Sequence, residues 1–184
     1  MGEGNTQRKF TTHTSDTSED VMRWLSALKS IDLEPALSIV YKEKLLRKLH
    51  FVPQFVSEKS NFELDSENRI ARVNLVGRVT RLTASKVFLS ASDAIEYYGA
   101  TKLLIDLSNT VEIDTEARIL VKDLFKLRAD KFSARLQRTI LINSKSVKGK
   151  IFSDMLSLVF TMHMVSCPLV RQDDIMDALE FLLM

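Results

Sequence analysis

Two uninterrupted apolar runs, at residues 102–107 and 139–142, constrain the fold of this 184-residue chain most strongly. The first run reads KLLIDL and the second reads TILI. A short run without polar alternation is typical of a strand that is buried on both faces, as in a parallel sheet. We therefore expect four side chains of these runs to be buried: Leu104, Ile105, Leu141 and Ile142.

A helical pattern separates the two runs, which indicates the strand–helix–strand order of an α/β fold. The apolar positions of this helix recur at helical spacing, and we expect five of them to face the core: Ala117, Leu120, Val121, Leu124 and Leu127.

Further elements flank this unit on both sides. Alternating apolar residues from about residue 61, interrupted by the turn residues 65–68, predict a hairpin. A helix through Ala84, Phe88 and Tyr98 should follow and end at Gly99. Two more helices, at about 147–160 and from about 173, complete an α/β domain over residues 61–184, in which a mixed sheet is packed by about four helices.

The first 60 residues have a different character. Residues 1–17 are polar and predict a disordered tail, whereas residues 18–57 predict a short helical N-terminal segment. Two short helices cannot bury a long apolar stripe by themselves. We therefore expect a homodimer that forms through the stripe of this segment, whose residues are Trp24, Leu28, Leu37, Tyr41 and Leu45.

Composition excludes several classes of function. A net charge of +2 does not indicate a nucleic-acid partner. One cysteine allows no intrachain disulfide, and the three histidines lack the spacing of metal ligands. No run reaches the ~18 apolar residues that span a bilayer. We expect a cytoplasmic protein without cofactor, metal, nucleic-acid partner or membrane insertion.

Two acidic residues near the first apolar run raise three alternatives. Asp106 ends the run, and Asp114 precedes the helical pattern that begins at about Thr115. The two carboxylates could form a catalytic pair, bind a metal, or belong to a protein-binding surface. A catalytic pair needs two acids in one cleft with different pKa values, and no histidine or other nucleophile lies near them in the sequence. The simplest interpretation is structural, with Asp106 bonded to loop N–H groups and Asp114 and Thr115 capping a helix.

The order of elements resembles that of a STAS domain. The resemblance covers about residues 61–184 and depends on the stretches VNLVGRVT, KLLIDLSNTVEID and DDIMDALEFLL. The STAS family includes bacterial anti-sigma-factor antagonists, stressosome proteins and the cytoplasmic tails of sulfate transporters, and a broader STAS-like group surrounds it. The resemblance implies a bacterial regulatory protein without catalytic activity.

In antagonists of this family, a partner kinase phosphorylates a serine or threonine after the second acid, which corresponds to Thr115. This chain departs from the family pattern at the next positions, where Glu116 and Ala117 replace the usual small residue and glycine and Arg118 follows them. The resemblance implies a partner-binding surface around this threonine that meets a kinase or an anti-sigma-type regulator. Its residues would be Asp106, Ser108, Asn109, Asp114, Glu116 and Arg118.

The sequence thus favours a regulatory module in a bacterial signalling or stress-response pathway, in which Thr115 is a candidate phosphorylation site. The alternative that remains open is a STAS-like protein that binds a small apolar ligand between its sheet and helices.

Overall fold

The structure is a computed structural model, and it describes residues 41, 43–57, 59–164, 167 and 169–184. The chain divides into two compact units, residues 1–41 and 42–184. Only Tyr41 of the first unit falls within the described residues, so the fold reported below is that of the second unit.

Eight strands and four helices follow a short helical turn at residues 43–46. The strands are β1 (Val52–Ser57), β2 (Ser60–Asp65), β3 (Ile70–Asn74), β4 (Gly77–Val79), β5 (Lys102–Asp106), β6 (Thr110–Ile113), β7 (Arg138–Ile142) and β8 (Leu169–Gln172). The helices are α1 (Arg81–Tyr97), α2 (Thr115–Arg135), α3 (Val147–His163) and α4 (Ile175–Leu183). The predicted α/β architecture with four helices after residue 61 is confirmed.

Six strands form one mixed sheet in the order β1-β2-β3-β5-β7-β8. The first three strands pair antiparallel, and β3, β5, β7 and β8 pair parallel. The short strands β4 and β6 form a separate parallel pair. This pair extends from the ends of β3 and β5 and leads directly into α1 and α2.

Two apolar cores lie on opposite faces of the large sheet. The larger core packs α1, α2 and α3 against side chains such as Val73, Ile105 and Leu141. The smaller core packs α4 against the alternate side chains, including Leu104 and Ile142. Leu104, Ile105, Leu141 and Ile142 are all fully buried, as the unbroken apolar runs predict.

The predicted helical segment over residues 18–57 is wrong for its last six residues. Val52–Ser57 is the edge strand β1, which pairs with β2 in spite of Pro53. Proline is tolerated at a sheet edge because an edge strand leaves alternate N–H groups without a ladder partner. Residues 1–40 and 42, including the predicted disordered tail, lie outside the described residues.

The stripe predicted for self-association also needs correction. Leu45 is buried in the smaller core of its own chain, so it is not available to a second copy. Tyr41 is half-exposed, and Trp24, Leu28 and Leu37 lie outside the described residues.

Two residues predicted to face the core lie on the surface instead. Tyr98 is exposed at the end of α1, and Leu127 of α2 is 81% exposed. In α2 the buried line runs through Val121, Phe125 and Phe132, and Leu127 lies off that line. The predicted stop at Gly99 is confirmed, because this glycine has a φ of +75°, which residues with a side chain rarely adopt.

Candidate functional site

The loop that follows β5 is fixed by a buried aspartate. Asp106 is only 3% exposed, and one of its carboxylate oxygens accepts hydrogen bonds from the backbone N–H of Ser108, at 3.1 Å, and from its hydroxyl, at 2.7 Å. These bonds form the local turn that an aspartate side chain favours. The simple interpretation of Asp106 as a carboxylate that bonds to loop N–H groups agrees with this geometry.

An arginine on the neighbouring strand balances the charge of Asp106. Arg72 of β3 donates from Nη2 to the second carboxylate oxygen, at 3.0 Å, and from Nη1 to Glu63 of β2, at 3.2 Å. Its guanidinium also lies over the ring of Phe51, 5.6 Å from the ring centre. A buried carboxylate without such a partner would be strongly destabilising. The bond between Arg72 and Asp106 therefore joins the middle of β3 to the carboxyl end of β5.

The strand β6 is tied to the elements on both sides of it. The hydroxyl of Thr110 donates to the carbonyl oxygen of Leu75, at 2.7 Å, and the hydroxyl of Ser144 donates to the carbonyl of Thr110, at 2.6 Å. Thr110 and Ser144 are both buried. The position at which α2 begins is therefore fixed by hydrogen bonds from two sides.

Asp114 occupies the N-cap position of α2, but its side chain makes no capping hydrogen bond. Its carboxylate instead accepts from Nε of Arg78, at 3.0 Å. This bond with Asp114 raises the pKa of Arg78 above its usual value. The expectation that Asp114 caps the helix with its side chain is therefore wrong, because Arg78 on β4 takes the carboxylate.

Thr115 is the first residue of α2, and its side chain is exposed. Its hydroxyl oxygen accepts a hydrogen bond from Nη2 of Arg118, one helical turn away, at 2.9 Å. Glu116 is also exposed and lies 3.6 Å from Arg81 of α1. The two acids that flank Thr115 are thus each paired with an arginine of the β4–α1 region.

An open groove of about 340 Å³ between α2 and α3 begins beside Thr115. Its apolar lining residues are Ile119, Ile151 and Met155, and its polar lining residues are Thr115, Arg118 and Lys122. Ile119 and Ile151 are 49% and 52% exposed, which is unusual for isoleucine. An exposed apolar surface with a polar rim often marks a binding site.

The exposed apolar surface continues along α3. Val147, Leu158 and Met162 are exposed and follow the same helical spacing as Ile151 and Met155. Together the five residues form an apolar stripe along almost the whole length of α3. We call this stripe and the groove beside it the α2–α3 face.

The residues predicted for the partner-binding surface differ in how far they are exposed to solvent. Asn109 and Glu116 are exposed, whereas Ser108, Asp114 and Arg118 are half-buried. Asp106 is buried, so it cannot itself contact a partner and instead supports the loop beneath. Asp106 and Asp114 are held by different arginines and do not form a shared acid pair.

The sequence pattern predicts the helix at about 147–160, but it does not predict the α2–α3 face. The buried positions of α3 include Phe152, Leu156 and Phe160, whereas Ile151 and Met155 line the groove. The sequence does contain a signal of this exposed face, because α3 carries more apolar residues than one buried face needs.

No group of three or more histidine, cysteine, aspartate or glutamate side chains in the described part of the chain could hold a metal ion. Within the same part, no helix has the length and apolar character required to cross a membrane.

Comparison with known proteins found a similar solved structure. No protein-family model and no curated protein matches the chain. The crystal structure of an uncharacterized protein from the DUF3478 family with a SpoIIAA-like fold, from Shewanella loihica PV-4, is similar with a TM-score of 0.44. The two chains are 13% identical, and the match covers 73% of this chain and 93% of the other. A similarity of this size does not establish family membership.

Proposed function

We propose that this protein is a non-catalytic regulatory module of the STAS type, which binds a protein partner through the α2–α3 face and the adjoining loop at residues 108–115. We further propose that phosphorylation of Thr115 controls this binding. The observation that carries the proposal is the position of an exposed threonine hydroxyl at the edge of an exposed apolar groove.

The surroundings of Thr115 favour a phosphate group. The N-terminus of a helix offers unpaired N–H groups and a positive dipole end. Arg118 already donates to the threonine hydroxyl and could donate to phosphate oxygens at the same place. Glu116 would oppose a phosphate by its charge, but Arg81 lies 3.6 Å from it and reduces that effect.

The groove also indicates the chemistry of the partner. Its apolar lining suits apolar side chains, while Arg118 and Lys122 give it a positive rim with no acidic lining residue. A partner segment with apolar and acidic side chains would complement both features. Phosphorylation adds a charge of about −1.5 to −2 and would repel such a segment.

The resemblance to STAS antagonists supplies the class of partner, a kinase or an anti-sigma-type regulator in a bacterial signalling or stress-response pathway. The separate arginine partners of Asp106 and Asp114 support a role without catalysis, because neither carboxylate is left as an acid or base in a cleft. The alternative of a small apolar ligand is less well supported, since the groove is open and has a charged rim.

A pull-down from the native cell tests the binding surface. Ile151→Asp places a charge in the groove at a position that is already half-exposed, whereas Leu89→Asp places the same charge on an exposed position of α1. We expect wild type and Leu89→Asp to capture the same partner, identified by mass spectrometry, and Ile151→Asp to lose it.

Both variants should keep the melting temperature of wild type within a few degrees, because neither side chain belongs to the core. Capture of the same partner by folded Ile151→Asp would contradict the proposed surface.

A further inference from the structure

A second pocket, of about 440 Å³, opens at the carboxyl ends of β7 and β8. Its lining residues are Asn143, Ser144, Lys145, Lys150, Arg171 and Asp173. The carboxyl ends of parallel strands are where open α/β sheets commonly bind ligands. Neither the STAS resemblance nor the proposed switch at Thr115 assigns any role to this pocket.

Three cationic side chains reach the pocket from different segments. Arg171 comes from the edge strand β8, Lys150 from the first turns of α3, and Lys145 from the loop between β7 and α3. The side chains of Lys145 and Lys150 have no hydrogen bond or ion pair with any other residue that the structure describes. Two ammonium groups thus line one pocket without an ion-pair partner there.

Arg171 and Asp173, which also line the pocket, form hydrogen bonds with neighbouring side chains. Arg171 donates from Nε to Asn143, at 2.9 Å, and from Nη1 to Asp154, at 2.8 Å. The side-chain amide of Asn143 donates to Asp173, at 2.9 Å. These bonds hold the guanidinium and the Asp173 carboxylate to fixed partners, so Asp173 is not paired with either lysine.

Hydrogen bonds and close packing hold the loop that carries Lys145. Ser144 is buried, and its hydroxyl oxygen accepts from the backbone N–H of Ser146, at 3.1 Å. A Cβ atom at Gly149 would overlap the side chain of Ser144, so only glycine fits in the first turn of α3. Lys145 in the loop and Lys150 in α3 therefore project from backbone that these contacts hold in position.

We propose that this pocket binds a phosphate-bearing anion. Lysine ammonium groups act as point charges for phosphate, and an arginine held by neighbours adds a planar donor group at low entropic cost. The volume lies within the range of ordinary small-molecule sites, so either a free polyphosphate or the phosphate group of an organic ester would fit.

Isothermal titration calorimetry of the full chain with inorganic pyrophosphate, at low ionic strength, tests the proposed site. The pocket variant is Lys145→Ala/Lys150→Ala, and the matched control is Lys59→Ala/Lys126→Ala. The control removes the same charge from two exposed lysines outside the pocket. None of the four lysine side chains has a hydrogen bond or ion pair among the described residues, so both variants should melt like wild type.

We expect saturable binding to wild type and to the control, and binding that is weaker by about tenfold or more in the pocket variant. A parallel titration with ribose 5-phosphate distinguishes an organic ester from a free polyphosphate as the preferred source of the phosphate. The absence of saturable binding of both probes to wild type, or an equal loss in the two variants, would overturn the proposal.

Discussion

Glu96 lies on α1 with its carboxylate buried against α2. It accepts hydrogen bonds from Arg128 and from Lys131, the latter at 3.0 Å, and also from Ser92 of its own helix. Burial raises the pKa of Glu96, but the bonds from Lys131 and Arg128 outweigh burial and lower it below the usual value of 4.5. The ionised form of Glu96 is therefore the form that stabilises the fold.

The sign of this shift gives a pH dependence. A lowered pKa in the folded state contributes stability that is complete above pH 4.5 and is lost as the pH falls through the folded value. Glu96→Gln should reduce the free energy of unfolding by about 1–2 kcal/mol at pH 7, because both cationic partners retain contact with solvent. Urea unfolding at several pH values should show that the difference from wild type shrinks below pH 4.5. A difference that stays constant with pH would contradict the ion-pair account.

At the scale of secondary-structure elements, the hydrogen bonds at the start of α2 indicate whether Thr115 caps the helix. If Thr115 and Asp114 served mainly as caps, Thr115→Ala would cost about 1 kcal/mol. Asp114 is bonded to Arg78 instead, and the threonine hydroxyl is bonded to Arg118. We therefore expect Thr115→Ala to change the free energy of unfolding by less than about 0.5 kcal/mol, as measured by chemical denaturation. A loss of a full kcal/mol would restore the capping role.

Strands that consist of an uninterrupted apolar run could be predicted from the sequence. The runs around Ile105 and Leu141 have no polar face, so burial on both sides was the only consistent solution. The strands β1, β4 and β6 could not be predicted in the same way. β1 contains Pro53, whereas β4 and β6 are short and their pairing joins residues more than 30 positions apart.

Helical periodicity correctly located the four helices α1 to α4 but not every exposed face. Leu127 and Ile151 fit an apolar pattern, yet each lies on a side of its helix that no described residue covers. Whether a side is covered depends on how α2 and α3 pack together, which local spacing does not encode. For the same reason the groove could not be predicted, although Thr115 could be named from the stretch that resembles a STAS domain.

For the whole molecule, the predicted homodimer is still a prediction. Leu45 is taken up by the core of its own chain, so self-association would depend on the remaining apolar residues of the stripe, Trp24 in particular. Light scattering should give a dimeric mass for the intact chain at micromolar concentration and a smaller mass for Trp24→Asp. A monomeric mass for wild type would exclude this form of assembly.

The central claim is that a charge at Thr115 controls the binding of a partner on the α2–α3 face. Its most direct test is the affinity of the captured partner for wild type, Thr115→Ala and Thr115→Glu, measured together with their melting temperatures. We predict that Thr115→Ala binds like wild type and that Thr115→Glu binds at least about tenfold more weakly without loss of stability. Equal affinity of all three proteins, with no phosphate on Thr115 of protein isolated from its native cell, would contradict the claim.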